Sequence, residues 1–114
     1  MAAALDVLAT RTLRSYAALL RTRFGTRLER TVLFGSRARG DAREDSDIDV
    51  LVVIRDMTPS ERREAVDLAY RASRETAPEA PILTPMVWSD HEHAARLRQE
   101  RRLALDIERE GVPL

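Results

Sequence analysis

The chain has 114 residues, 44% hydrophobic and 33% charged, which fits one compact domain over residues 1–114 and excludes wholesale disorder. Its 19 Lys+Arg residues are all arginine and balance 19 acids, which excludes a uniformly basic nucleic-acid coat; without lysine, a P-loop and Schiff-base chemistry are excluded too. There is no cysteine for a disulfide, a thiol nucleophile or a cysteine zinc site, and the longest apolar runs, Met1–Leu5 and Val50–Ile54, fall far short of a membrane span.

Leu5, Leu8, Leu13, Tyr16, Leu20 and Phe24 recur near helical spacing and predict an amphipathic helix over about 4–24, with Gly25 as its stop. Arg30–Phe34 is β-branched and apolar and ends at Gly35, so it predicts a strand. Ile48–Ile54 predicts a second strand, apolar on both faces after Asp49 as in the middle of a sheet. Thr58-Pro59-Ser60-Glu61 has capping-box spacing with proline at the first helical position; its helix should run to about Glu75 and bury Ala65, Leu68, Ala69 and Ala72. Ile82–Trp88 predicts a third strand, placed at an edge or a bulge by Pro85. Ser89-Asp90-His91-Glu92 is a second capping box, opening a helix to about Glu110 that Gly111 and Pro113 stop. The expected fold class is α/β of the α+β type: a small mixed three-stranded sheet packed with three main helices.

The chemistry-bearing stretch is Leu33-Phe34-Gly35-Ser36-Arg37-Ala38-Arg39-Gly40, then an acidic loop, then Asp47-Ile48-Asp49-Val50. Asp47 and Asp49 stand two apart at a strand start, so their carboxylates share a face with Cα atoms about 6.6–7 Å apart. Like charges held so close need a cation, a proton or arginine partners, and carboxylates at this spacing suit Mg²⁺. Gly35 permits a sharp turn and close approach of a phosphate, and Ser36 adds a hydroxyl and donor groups for an anion. Arg37 and Arg39 suit a triphosphate as bidentate partners. If the two strands are neighbours, this is the layout of a nucleotide site. The charge sign also changes here: residues 1–40 hold eight arginines against Asp6 and Glu29, and residues 41–114 hold eleven against seventeen acids.

Gly35-Ser36, ten residues, then Asp47-x-Asp49 within "LFGSRARGDAREDSDIDVLVV" closely resembles the signature of the polymerase-β-like nucleotidyltransferases, and most of all the minimal nucleotidyltransferase (MNT) domains of prokaryotes. The resemblance implies a palm-like fold in which Gly35 and Ser36 bind the nucleotide triphosphate and Asp47 and Asp49 hold Mg²⁺. It implies transfer of a nucleotidyl group, often AMP from ATP, to a hydroxyl with release of pyrophosphate. Family members that use a third carboxylate carry it on the third strand, where Thr84 falls here, and threonine is neither a carboxylate ligand nor a general base at pH 7. Short MNT chains are often paired with an all-helical HEPN protein and act as antitoxins, by complex formation or by adenylylating that partner. The second reading is therefore an antitoxin-type binding module with a vestigial or regulatory nucleotide pocket.

Asp45-x-Asp47-x-Asp49 is no EF-hand loop, because Val50 occupies the position that needs glycine. His91 and His93 make a poor metal pair and are expected to face solvent. Trp88 is expected to pack at the strand end. Arg11, Arg14, Arg21, Arg23, Arg27 and Arg30 read as solvated surface, with contact to RNA or an acidic partner as the weaker alternative. The Leu51 and Val53 side of the sheet is either covered by a terminal helix or left as an interface. A homo-oligomer stays open, and a cytoplasmic location without membrane contact is the expectation, since Met1–Leu5 lacks the charged region of a secretory signal.

Overall fold

The computed structural model describes residues 3–35, 38, 40, 47–99 and 101–114, with side chains from residue 7 onward. Helix α1 (Ala3–Phe24) leads through a short 3-10 turn (Gly25–Arg27) into β1 (Leu28–Phe34). Then follow β2 (Ile48–Ile54), α2 (Pro59–Thr76), β3 (Leu83–Ser89), α3 (Asp90–Arg98), α4 (Arg102–Glu110) and β4 (Val112–Pro113). The sheet order is β3-β2-β1-β4; β2 runs antiparallel to β1 and parallel to β3, which makes the sheet mixed.

The local signals act where the sequence places them. Gly25 ends α1 at φ 57°, a left-handed conformation that suits a residue without Cβ. Thr58 closes its capping box, accepting from the Glu61 N–H at 3.2 Å while its own N–H donates to Glu61 Oε1 at 2.9 Å. Ser89 and Glu92 repeat the arrangement at the start of α3.

β2 is buried on both sides and separates two apolar clusters. Ile48, Val50, Val52 and Ile54 face α1 and α2, where Tyr16, Leu20, Phe24, Ala65, Ala69 and Ala72 complete the cluster. Tyr16 is fully buried and its hydroxyl donates to the Ala65 carbonyl at 2.8 Å; burial pushes that hydroxyl's pKa up. Leu51 and Val53 face the other way, onto Val32, Trp88, Ala104 and Ile107. The C-terminal helix α4 thus covers the face that the sequence left open between a helix cover and an interface.

The sheet has four strands rather than the expected three. Val112–Pro113 pairs antiparallel with β1, opposite Val32 and Leu33. A two-residue strand is too short for any alternation, so Gly111 and Pro113 read only as helix stops. The described helices number four rather than three, because the helix expected from Ser89 to Glu110 is two: one ends at Arg98 and the next begins at Arg102, with Arg101 extended at φ −63° and ψ 126°. No glycine or proline marks the break. It resets the helical phase, so that α3 keeps His93 and Arg96 on Trp88 while α4 turns Ala104 and Ile107 onto the cluster of Val32, Leu51 and Val53.

Gly111 sits where α4 meets β4. Its φ of −68° suits any residue, but a Cβ there would meet Val32 Cγ1 and lie 2.5 Å from the Ile107 carbonyl oxygen. Gly111→Ala is expected to cost about 1–3 kcal/mol through overpacking, read as a lower Tm. An unchanged Tm would show that β4 gives way freely.

Arg23, Arg27 and Arg30 are not merely solvated, as the sequence reading had them. Arg27 grips Glu61 with Nη1 to Oε2 at 2.8 Å and Nη2 to Oε1 at 2.7 Å, joining the 3-10 turn after α1 to the start of α2. Arg23 binds Glu64 from the same side, and Arg30 pairs with Glu108 of α4. The Arg27 hydrogen bonds, then the Thr58 N–H, hold the Glu61 carboxyl down at about 2, below its ordinary 4.5. A depressed carboxylate stabilises fully above its ordinary value and loses that effect as pH falls toward the folded one. The stability gap between the wild type and Glu61→Gln, measured by urea titration, should therefore be constant at neutral pH and close between about pH 5 and pH 2. A gap that persists to pH 2 would contradict this origin.

Candidate active site

The two strand ends that carry the motif are hydrogen-bonded neighbours. β1 ends at Phe34, whose register partner is Asp49 near the start of β2. Gly35 follows at φ 77° and lies so close that a Cβ on it would run into Asp49 Oδ2, 3.3 Å from Asp49 Cγ. Glycine is favoured here by its backbone conformation, and a Cβ would in addition displace the carboxylate against it.

Asp49 is half-buried in β2, and Asp47 is exposed just ahead of the strand. The strand alternation puts Asp49 on the face of Leu51 and Val53, beyond the end of the cluster that α4 covers. Its carboxylate therefore stands at a rim, with an apolar wall behind it and the Gly35 turn beside it. A close approach left clear by glycine, next to two aspartates at the start of one strand, fits a divalent cation with a phosphate ligand. Ser36, Arg37 and Arg39 lie outside the described residues, so the structure bears on Gly35, Asp47 and Asp49.

The Cα register partner of Asp49 on β3 is Thr84, which is exposed. Adjacent strands in register direct such partners to the same face, so Thr84 stands where a third carboxylate of this site would be. The described acidic grouping with metal-ligand spacing lies elsewhere: Asp56, Asp90 and His91 offer ligand atoms within 4.8 Å of one another. They sit past the C-terminal ends of β2 and β3, the opposite end of the sheet from Asp47 and Asp49. There Asp90 Oδ1 accepts from the Asp56 N–H at 3.1 Å, and this bond lowers the Asp90 pKa.

His91 is exposed as expected, but His93 is not solvent-facing. Its side chain is 13% exposed, with the ring 6.0 Å from that of Trp88 and Nε2 3.3 Å from Glu108. The close approach of Gly35 to Asp49 was not readable beforehand, since strand pairing sets it; the signal available was a glycine at a strand end before an Asp-x-Asp strand.

A mixed sheet between helices, with a strand-end glycine backed onto the second aspartate of the neighbouring Asp-x-Asp, is the arrangement expected of a nucleotidyl-transfer domain. The family profile described as "Nucleotidyltransferase domain" matches residues 13–104, most of the chain, and the chain belongs to that family. It is similar to two proteins of Methanocaldococcus jannaschii, each carrying the name "Putative protein adenylyltransferase". One is 46% identical over 48 residues, which cover 41% of this chain and 48% of that protein. The other is 42% identical over 41 residues, covering 36% of this chain and 41% of that protein. The matched segment thus spans about half or less of these relatives' length. The fold is similar to the crystal structure of a "putative nucleotidyltransferase" from Sulfolobus solfataricus, with TM-score 0.56 and 20% identity over 96% of this chain and 84% of that one. No described helix is long and apolar enough to cross a membrane.

Proposed function

We propose that the chain is a Mg²⁺-dependent nucleotidyltransferase that moves AMP from ATP to a hydroxyl of a protein in the cytoplasm, with a HEPN-type partner as acceptor. The observation that carries this reading is Gly35 backed against the Asp49 carboxylate by the pairing of β1 and β2. The names of the two Methanocaldococcus relatives support the adenylyl donor and the protein acceptor.

In this reading Asp47 and Asp49 hold the cation, which when bound neutralises phosphate charge. Gly35 leaves room for the triphosphate beside Asp49, and Ser36, Arg37 and Arg39 complete its binding. The acceptor oxygen bonds to the α-phosphorus, the bond to the β-phosphate breaks, and pyrophosphate leaves. The acceptor's proton goes to a base that Thr84 does not provide, so the acceptor protein or solvent takes it.

Thr84 in register with Asp49 favours one other reading, an antitoxin that neutralises its partner by complex formation with a vestigial or regulatory pocket. One experiment separates them: the chain is incubated with ATP labelled at the α-phosphate, Mg²⁺ and the protein encoded beside it. Label should enter the partner with the wild type and not with Asp47→Ala/Asp49→Ala. Label that survives the double substitution sinks the transfer mechanism. A tight complex without label establishes the binding module.

A further inference from the structure

Along α1, Val7, Arg11, Arg14, Ala18 and Arg21 follow one another in steps of four and three residues and are all exposed. Such steps keep side chains on one stripe, the seam along which two helices run side by side. Residues 7–24 hold four arginines and no acid. Arg23 is bound to Glu64, but Arg11, Arg14 and Arg21 meet no partner among the described residues. On the other helices Arg62, Arg71 and Arg109 meet carboxylates, of Glu92, Glu75 and Asp106, while Arg63 and Arg98 stand singly among the described residues rather than in a stripe. Between Arg14 and Arg21 lies a cavity of about 360 Å³ with apolar walls from Leu13, Ala17 and Leu114.

We infer that this stripe docks a helix of a partner protein, one that carries two carboxylates seven residues apart and an apolar side chain between them. Arg14 and Arg21 stand about 10.5 Å apart along the axis, the same interval that i and i+7 span on a second helix. The cavity between them receives the apolar side chain, and the guanidiniums take the carboxylates. Val7 and Leu114, 54% and 45% exposed, extend the apolar contact. Arginine among apolar side chains is the composition of a protein–protein interface. A phosphate backbone would leave these apolar walls unused. α1 covers the Ile48 and Val50 face of the sheet, so a helix docked on it leaves the Asp49 face open. The inference does not depend on nucleotidyl transfer.

Fluorescence anisotropy with the full chain tests it. The probes are a labelled alanine-based helical peptide with glutamates at i and i+7 flanking a leucine, the same peptide with lysines for the glutamates, and a labelled oligouridylate. The glutamate peptide should bind about tenfold more tightly than the lysine peptide, as two exposed ion pairs permit. Arg14→Glu/Arg21→Glu, with its helix content checked by circular dichroism, should reverse that preference. Failure of the glutamate peptide to bind, equal affinity for both peptides, or a preference that survives the double substitution overturns the inference. Tighter binding of the oligouridylate than of the glutamate peptide also overturns it and assigns the stripe to nucleic acid.

Discussion

Asp49→Asn is expected to lower nucleotidyl transfer by about 10³-fold or more, while leaving the fold in place. Asparagine has the shape of aspartate but carries no charge, so the substitution removes a carboxylate without opening a cavity. Asp49 is the half-buried member of the Asp-x-Asp pair, with the Gly35 turn on one side and Thr84 in register on the other. With no acid at Thr84 to share the load, loss of Asp49 leaves Asp47 as the one remaining carboxylate of the proposed set. The effect should also appear without any acceptor. ATP with Mg²⁺ should raise the Tm of the wild type and leave that of Asp49→Asn where it was, because only a bound ligand shifts the folding equilibrium. An equal rise in the two proteins would remove Asp49 from the nucleotide site.

Gly35→Ala is expected to do nearly as much damage by a different route. At φ 77° an alanine is strained by about 1–2 kcal/mol, and its Cβ would also run into Asp49 Oδ2. One of the two must move, and either the turn shifts or the carboxylate rotates away. A displacement of about 1 Å at a reacting centre costs on the order of 10²-fold in rate. Thermal melting should thus show a modest loss of stability, and label transfer a much larger loss of activity. Gly25 supplies the control: its φ is 57°, but nothing stands near where its Cβ would be, so Gly25→Ala should lose stability and keep transfer. Wild-type transfer by Gly35→Ala would mean that the carboxylate is not needed where the structure holds it.

Elements with a local cause were legible from the chain alone. The two capping boxes place the starts of α2 and α3, and the unbroken apolar run Val50–Ile54 marks β2 as a strand covered on both faces. The Gly35-Ser36 and Asp47-x-Asp49 spacing carries the family likewise, being a pattern along the chain. What stayed hidden has no local cause. β4 is two residues whose strand character comes from β1, and the division into α3 and α4 answers to Trp88 and the Leu51 face rather than to any helix-breaking residue. Arg27 looked like surface because its partner Glu61 is on another helix. His93 looked solvent-facing because Trp88 and Glu108 meet it from other elements.

The sequence by itself determined the family, the two strand ends that carry its motif, and a threonine rather than an acid at position 84, because each is written in residue types at fixed spacing. Tertiary structure alone decided that Gly35 presses on Asp49, that Thr84 stands in register with it, and that α4 closes the Leu51 face. Those three facts depend on which strands pair and where a helix turns back. Pairing joins residues far apart in the chain, so no local pattern encodes it.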